Sequence, residues 1–212
     1  MSHRFEFPPH HVAAAVGSHE PEAPLEERRA SGREQKEAIA KLAQAHIADG
    51  DTVFLDGGTT TAALARHLAG KDVHVVTNNL MVVTSLAAGG IPVTLIGGDV
   101  RPSSMSTLGP LAQLSLSRVS VDKAFLSADG VVATNGLCEA SADQAYLKEC
   151  VIRQAALVFV LATADKLGRA SQQHWTPLDR PWTLITDDEA SVEQLDPFRA
   201  RDEVDVEIAP LE

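Results

Sequence analysis

Short apolar runs alternate with helix-periodic segments along most of the chain. In the segment 33–48, Ile39, Leu42, Ala43 and Ile47 recur at intervals of three and four residues, which predicts an amphipathic helix. The same pattern predicts strands at 52–56, 73–77, 92–96, 122–128, 157–162, 182–186 and 204–208, and helices at 59–69, 79–88, 109–118, 141–155 and 191–200. Strands rich in Val, Leu and Ile that are separated by helices are typical of a parallel sheet with both faces covered. The chain is therefore predicted to form a doubly wound α/β fold.

The first thirty residues do not follow this alternation. Proline-containing stretches at 8–9 and 21–24 interrupt any regular helix or strand. We therefore predict a tail or linker over residues 1–30 and one α/β domain over residues 31–212. Three histidines in the tail are interpreted as solvated side chains, and no metal site is predicted: His3, His10 and His11.

Composition narrows the class of protein. The chain has 212 residues, of which 44% are hydrophobic and 22% charged, as expected for a soluble domain that buries its own core. Its two cysteines, Cys138 and Cys150, match neither a metal motif nor a disulfide framework, which favours a reducing cytoplasm. No apolar stretch is long enough to span a membrane, so we expect no membrane partner.

The net charge of −11 bears on the partners of the chain. Proteins that grip nucleic acid directly are usually basic, because phosphate contacts supply much of their affinity. We therefore expect a ligand-binding or catalytic domain rather than a surface that binds DNA directly. An acidic protein repels anions at long range, so an anion site in this chain has to be locally positive.

One loop points to a ligand class. The segment between the first strand and the helix after it is rich in glycine and threonine: Asp56, Gly57, Gly58, Thr59, Thr60 and Thr61. Glycines let backbone N–H groups approach an anion, a helix start adds unpaired donors, and threonine adds hydroxyls and an N-cap. The segment matches neither a Walker A loop nor a dinucleotide fingerprint, so we predict a phosphate site and no cofactor. The alternative is a plain strand-to-helix turn.

Polar or glycine-rich residues also follow the other predicted strands. In chain order these are Thr77 and Asn78, then Gly97, Gly98 and Arg101, then Asp129, and finally Lys166. Ligands of open parallel sheets bind at the carboxyl ends of the strands, so these residues predict one crevice. In it, Arg101 and Lys166 would pair with an anion and Asp129 would accept hydrogen bonds from sugar hydroxyls.

Each of these residues also has a purely structural interpretation. Asn78 is equally suited to cap a helix that begins at Asn79, and Gly97 with Gly98 can simply turn the chain. Arg101 can be an ordinary surface arginine, and Asp129 can belong to an Asp-Gly turn. The concentration of all of them at one edge of one sheet favours the ligand site.

Six stretches carry the order and spacing of a known family: 52–61, 75–79, 95–102, 108–110, 121–130 and 164–168. Together they resemble the effector-binding domain of DeoR-family bacterial transcription regulators, over roughly residues 24–190. The resemblance implies a Rossmann-like fold related to ribose-5-phosphate isomerase, with a mostly parallel sheet and helices on both faces. It also implies a phosphorylated sugar as effector, usually acting on a repressor, and a homo-oligomer. The family's phosphate loop falls on residues 56–61, its acidic position on Asp129 and its basic one on Lys166.

The chain departs from the family pattern in two ways. The residues before the first helix are too few and too proline-rich for the family's winged helix-turn-helix, so operator DNA is expected to be bound only through a domain that this chain lacks. The related isomerases also carry a catalytic glutamate just before a lysine, where this chain has Tyr146-Leu147-Lys148. Aldose–ketose isomerisation needs such a carboxylate base. We therefore predict a sensor without catalytic residues, and keep a sugar-phosphate isomerase that uses Asp129, Asp143 and Lys166 as the alternative.

Overall fold

The structure, a computed structural model, describes residues 21–211. The first twenty residues of the predicted tail lie outside this range. Helices span Leu25–Ala30 (α1), Arg33–Gln44 (α2), Thr59–Arg66 (α3), Leu80–Ala88 (α4), Pro110–Leu116 (α5), Ala142–Gln154 (α6) and Val192–Arg199 (α7). Strands span Thr52–Leu55 (β1), His74–Thr77 (β2), Val93–Leu95 (β3), Asp99–Arg101 (β4), Ser106–Leu108 (β5), Val121–Leu126 (β6), Gly130–Val132 (β7), Gly136–Glu139 (β8), Ala155–Leu161 (β9), His174–Thr176 (β10), Trp182–Asp187 (β11) and Val204–Ala209 (β12).

A large parallel sheet organises the described part of the chain. Within residues 21–211 it has seven strands in the order β12-β11-β9-β6-β1-β2-β3, and every neighbouring pair is parallel. The chain runs outward from β1 to β3 and then returns to β6 on the other side of β1. This reversal is a topological switch point, which opens a crevice outside the carboxyl ends of β1 and β6. The predicted Rossmann-like, doubly wound fold is confirmed.

The apolar core lies on both faces of the sheet because successive strand residues point to opposite sides. On β1, Val53 and Leu55 belong to the core shared with α2, α3 and α4, whereas Phe54 belongs to the core shared with α5, α6 and α7. Phe125 of β6 stacks on Phe159 of β9 with ring centroids 4.9 Å apart, and both rings lie on the first face. The two layers hold the loops at the strand ends on a rigid base.

Two small antiparallel sheets differ from the sequence-based expectation. Strands β4 and β5 form a hairpin, and β7, β8 and β10 form a second sheet. All are three or four residues long, which is too short for a period of two to stand out from noise. The second sheet holds Glu139, which pairs with His174 in register and lies beneath the crevice.

The described residues ahead of α2 contain a helix that the sequence analysis did not predict. Residues 25–30 form helix α1, and Gly32, with φ +57°, turns the chain into α2. The left-handed conformation at Gly32 is one that residues with a side chain adopt only at a cost. Residues 21–32 therefore fold back over the carboxyl end of the sheet. Among residues 21–211, no helix is long and apolar enough to cross a bilayer.

Candidate functional site

The loop after β1 is tied down by its own first residue. Asp56 is buried, and its Oδ2 accepts hydrogen bonds from the backbone N–H of Ser127 at 3.2 Å and from its hydroxyl at 3.3 Å. The Asp56 carbonyl accepts bonds from the Thr61 hydroxyl at 2.6 Å and from the Asn79 amide at 3.1 Å. Asp56 thus joins the ends of β1 and β6, and its carboxylate is a structural anchor for the loop.

A lysine that the sequence analysis did not select completes this anchor. Lys148, on α6, is buried, and its Nζ lies 3.2 Å from Asp56 Oδ2. The same ammonium donates to Glu139 Oε1 and to the Ser127 carbonyl. Its three N–H donors therefore meet three acceptors, which is what burial of an ammonium group requires.

The charges of this cluster are strongly coupled. Burial raises the pKa of Glu139 to about 8, although Lys148 opposes the shift. Burial by itself lowers the pKa of Lys148, but the carboxylates of Asp56 and Glu139 outweigh it and raise that pKa above its ordinary value. Lys148 is therefore a permanent cation beneath the loop, and Glu139 is the member of the cluster that can take up a proton.

The glycines of the predicted site serve different purposes. A Cβ on Gly58 would lie 2.0 Å from Ser127 Oγ, and one on Gly57 would lie 2.6 Å from Ser106 Cβ. Gly98 has φ +133°, and a Cβ there would lie 2.2 Å from the Leu108 carbonyl oxygen. Packing against the protein itself accounts for these three glycines. At Gly97, by contrast, a Cβ would meet nothing within 4 Å among the described residues.

The structure contradicts the expected threonine cap and the alternative in which Asn78 is a cap. The residue that precedes α3 is Gly58, and no side chain caps that helix within the described chain. The cap of α4 is Asn79, which accepts from the Met81 backbone N–H at 3.0 Å, so Asn78 is not the cap. Asn78 is buried and donates to the Thr107 carbonyl at 3.2 Å, while its Oδ1 has no hydrogen-bond partner among residues 21–211. Asn78 thus keeps an acceptor that the fold does not use.

Three of the remaining predicted polar residues of these loops are buried: Thr60, Thr61 and Thr77. Thr77 donates to the Leu55 carbonyl at 2.6 Å, and the Thr61 hydroxyl also contacts the Gly58 carbonyl at 3.0 Å. The Thr60 hydroxyl is buried and finds no partner within the described range. Thr59 begins α3, where the backbone N–H groups of the first turn have no acceptor inside the helix. The start of α3 therefore offers the donors of an anion site.

The structure divides the predicted site between two cavities on either side of this loop. A small one of about 10 Å³ is lined by Asp56, Gly57, Asn78 and Lys148, among others. That space suits about one water molecule. A larger one of about 260 Å³ is lined by Thr59, Asp129 and Lys166 and is covered by residues 21–32. Only the larger cavity has room for a metabolite.

Two residues that line the larger cavity each hold a buried polar atom without a partner. Asp129 Oδ2 and Ser171 Oγ are buried, and neither has a hydrogen-bond partner among residues 21–211. Groups of this kind are costly unless something satisfies them. Lys166 Nζ donates to the Ala128 carbonyl at 2.7 Å, and its ammonium retains two further donors. The cavity therefore presents both acceptors and donors to an occupant.

Two lysines that line this cavity have lowered pKa values. Burial lowers the pKa of Lys166, while Asp129 and Asp165 oppose the shift. Burial, followed by repulsion from Lys166, lowers the pKa of Lys36 to about 8. Lys36 Nζ donates to the carbonyls of Arg28 and Ser31 at the end of α1. An anion between the two ammonium groups would relieve their repulsion.

Arg101 lies apart from both cavities. Its Nη2 lies 2.5 Å from Glu22 Oε2, in the segment that covers the larger cavity. The sequence analysis expected Arg101 to pair with an anion, and the anion that it contacts is a carboxylate of its own chain. Lys36, Glu139 and Lys148 were missed because each stands inside a helix or a short strand, whereas the search followed the ends of long strands.

No group of three or more histidine, cysteine or acidic side chains within residues 21–211 is arranged to hold a metal ion.

Comparison with known proteins shows which family the chain matches. Residues 31–188 match the family described as the DeoR C-terminal sensor domain. An uncharacterised HTH-type transcriptional regulator of Bacillus subtilis, YulB, is 32% identical over 191 residues, covering 88% of this chain and 74% of the relative. The glycerol-3-phosphate regulon repressor of Escherichia coli is 30% identical over 180 residues, covering 84% of this chain and 71% of the relative.

Among solved structures, ribose 5-phosphate isomerase A of Methanocaldococcus jannaschii is similar, with a TM-score of 0.46 and 22% identity. That likeness covers 62% of this chain and 52% of the isomerase. The chain spans 60 to 74% of the length of the curated relatives that it matches.

Proposed function

Because the chain belongs to the DeoR C-terminal sensor domain family, we propose that it senses a phosphorylated sugar or polyol and thereby controls DNA binding by a regulator. The observation that carries this proposal is the cavity of about 260 Å³ at the carboxyl ends of the sheet. It lies near the lower limit of about 300 Å³ typical of small-molecule pockets, which suits a small metabolite. We propose the bound arrangement from the groups that line it.

The phosphate is proposed to bind between the first turn of α3, at Thr59, and the ammonium groups of Lys166 and Lys36. Backbone N–H donors and the positive end of the helix dipole favour an anion there. The two lysines supply the local positive charge that a protein of net charge −11 needs to attract one. The hydroxyls of the ligand are proposed to donate to Asp129 Oδ2 and to contact Ser171 Oγ, which would satisfy both atoms.

The loop residues around Asp56 are proposed to hold this site in shape rather than to bind the ligand. Asp56, Gly58 and Thr61 make their contacts with the protein itself. Gly57 and Asn78 border the small cavity, where the unused Oδ1 of Asn78 suits a bound water. Of the predicted site, Thr59, Asp129 and Lys166 therefore remain as proposed ligand contacts.

Calorimetry with matched pairs of ligands tests the proposal. Glycerol 3-phosphate and glucose 6-phosphate would be compared with glycerol and glucose. We expect binding by at least one phosphorylated member of the panel, and a loss of about tenfold or more in affinity in Lys166→Met, since a charged hydrogen bond is worth about 1.5–3 kcal/mol. Equal affinities for phosphorylated and unphosphorylated ligands would contradict the proposal.

Lys71→Met is the matched control for that variant. Lys71 also donates to a single backbone carbonyl, that of Ile47, at 2.7 Å, but it precedes β2 at the opposite end of the sheet. Its loss should leave ligand affinity unchanged. A similar loss of affinity in both variants would show that the effect of Lys166 is not local.

We also propose that the domain does not isomerise its ligand. Tyr146 is exposed and Leu147 is buried and apolar, so neither supplies the carboxylate that the related isomerases carry there. Glu139 is nearby in sequence, but its carboxylate is bound to Lys148 and does not border the larger cavity. Formation of a ketose from ribose 5-phosphate, lost in Asp129→Asn, would contradict this proposal.

The protein is proposed to act in the cytoplasm as a homo-oligomer, with operator DNA bound by residues beyond this domain. The relatives are transcription regulators by name. A protein that binds both DNA and a metabolite has to act in the compartment that contains both. Size-exclusion chromatography with light scattering tests the oligomer, and a monomer at all concentrations would contradict it.

A further inference from the structure

The carboxylate of Glu22 lies in an anion site that the chain itself provides. Arg101 Nη2 lies 2.5 Å from Glu22 Oε2, and the Ser103 hydroxyl donates to the same oxygen at 3.2 Å. Arg28 Nη2 lies 2.9 Å from the other oxygen, Oε1, as an ion pair, and Oε1 has no hydrogen-bond partner among residues 21–211. The carboxylate is therefore held by two guanidinium groups and one hydroxyl. This combination is also the one that proteins use to bind phosphate.

This site is more enclosed than an ordinary surface ion pair. The Glu22 side chain is 8% exposed, and those of Arg28 and Arg101 are 20% and 21% exposed. Arg101 Nη1 is buried and has no hydrogen-bond partner within the described chain. A carboxylate leaves that donor unused, whereas a phosphate has a further oxygen to offer it. The guanidinium groups are thus better matched to a larger anion than to Glu22.

Glu22 and Arg28 also border the larger cavity, so its occupant can reach this site. An anionic group that enters from the cavity meets Arg28, one of the two guanidinium groups that Glu22 occupies, whereas Arg101 does not line the cavity and becomes available when Glu22 leaves. Two anions cannot share these groups without strong repulsion. The ligand and Glu22 are therefore mutually exclusive wherever the ligand carries negative charge at this end of the cavity.

We propose that Glu22 is a tethered competitor that an anionic effector displaces from Arg28 and Arg101, which releases residues 21–30 from the domain. The proposal rests on the proposed function, because it assumes that an anionic metabolite enters the larger cavity. It assigns to Arg101 the anion binding that the sequence suggested, and it makes Glu22 the internal occupant of that site in the absence of ligand.

Displacement of Glu22 would loosen the contacts that hold residues 21–30 on the domain. Residues 21–30 are otherwise held by Lys36, which donates to the carbonyls of Arg28 and Ser31, and by the Arg28 side chain, which donates to Ser103 O at 2.5 Å. A ligand anion would also attract Lys36 and so weaken its hold on α1. Gly32, with φ +57°, provides the turn about which α1 can move. The segment ahead of α1 would then change its position relative to the domain.

A simple structural ion pair and a competitor predict opposite effects on ligand affinity. If Glu22 only holds the segment in place, its removal leaves anion binding unchanged or weakens it. If Glu22 competes, its removal strengthens anion binding, since a ligand can shift an equilibrium only by its preference for one state. Glu22→Gln keeps the shape of the side chain and removes its charge, so it separates the two cases.

The test uses the full chain, calorimetry, and inorganic phosphate and glycerol 3-phosphate as probes. We expect Glu22→Gln to bind at least one of them about tenfold more tightly than wild type, which corresponds to about 1.4 kcal/mol. Adding Arg101→Met to that variant should abolish the gain. Glu26→Gln is the matched control, because Glu26 lies four residues after Glu22, in α1, and pairs with Arg29, with both side chains exposed. The control should match wild type.

Trypsin cleavage after Arg29 reports the release itself. We expect either probe to speed cleavage in wild type, and Glu22→Gln to be cleaved fast without a probe. Unchanged affinity and unchanged cleavage in Glu22→Gln would overturn the proposal. If wild type binds sugar phosphates through Lys166 while Glu22→Gln behaves like wild type, this inference fails and the proposed function stands. If no phosphorylated probe binds to either protein, both fail.

Discussion

Removing the buried ammonium group of Lys148, beneath the loop after β1, is the sharpest test of what holds the site in shape. In Lys148→Met, the carboxylates of Asp56 and Glu139 and the Ser127 carbonyl all lose their shared partner. Breaking a buried ion pair from one side typically costs about 3–5 kcal/mol, because the remaining charge stays buried without compensation. Because the pKa of Glu139 is raised to about 8, Glu139 already holds a proton at neutral pH, and the charge left without compensation is that of Asp56, which keeps only its bonds to Ser127. We therefore expect a loss of about 3–5 kcal/mol in the free energy of unfolding.

Urea unfolding followed by tryptophan fluorescence, to which the buried Trp182 contributes, measures this loss. A loss of this size is a large fraction of the roughly 5–15 kcal/mol that stabilises a typical domain. Arg153→Met is the control, since Arg153 pairs with Glu149 at 2.6 Å on the same helix with 58% and 41% of the two side chains exposed. That pair lies at the surface and should contribute about 1 kcal/mol or less. Equal losses in the two variants would refute the view that the cluster under Asp56 is the main electrostatic support of the loop.

Three further predictions concern Glu139, the glycines and the cavity lysine Lys36. Because the pKa of Glu139 is raised from 4.5 to about 8, the folded protein holds a proton that the unfolded chain has lost between these pH values. Wild-type stability should thus fall relative to Glu139→Gln as pH rises through that window, as measured by urea unfolding. Gly58→Ala should lose about 1–3 kcal/mol from overpacking, whereas Gly97→Ala should retain wild-type stability, by the same assay. Binding of a phosphorylated ligand at pH 8 should take up protons, because the ligand raises the lowered pKa of Lys36, and calorimetry in buffers of different ionisation enthalpy detects this uptake.

Each of these predictions has a clear contrary outcome. Parallel pH profiles for wild type and Glu139→Gln would show that Glu139 does not titrate in this range. Equal stabilities of Gly58→Ala and Gly97→Ala would mean that Ser127 moves aside without cost. A binding enthalpy that is the same in both buffers at pH 8 would mean that Lys36 does not respond to the ligand.

The large sheet was predictable because its strands have a strong local signal. Runs such as Thr52–Leu55 and Ala155–Leu161 are continuous, apolar and separated by segments with helical periodicity. The number of strands and their succession along the chain therefore follow from the pattern. Their ends were less predictable, and α2 ends at Gln44 although its apolar spacing continues to Ile47. The strands β4, β5, β7, β8 and β10 escaped because pairing between segments, rather than the residues of each segment, makes them strands.

Within the candidate site, proximity to a strand end was a good guide to position, and the roles of these residues remain proposals. Thr59, Asp129 and Lys166 border the larger cavity as that reasoning expects, whereas Gly58 and Asp56 satisfy the protein itself. The reason is that a tight loop has to satisfy its own polar atoms before it can bind anything else. Residues that do so look the same in sequence as residues that bind a ligand.

The contacts of Glu139 and Asp129 bear on whether the site senses a ligand or catalyses a reaction. General acid–base catalysis needs a titrating group within reach of the reacting proton. Glu139 has the raised pKa of such a group, but Lys148 binds its carboxylate away from the larger cavity. Asp129 does face the cavity, yet its unused oxygen and the nearby Lys166 are as well suited to hold a hydroxyl and a phosphate as to move a proton. These contacts support the proposal that the domain senses its ligand without turning it over.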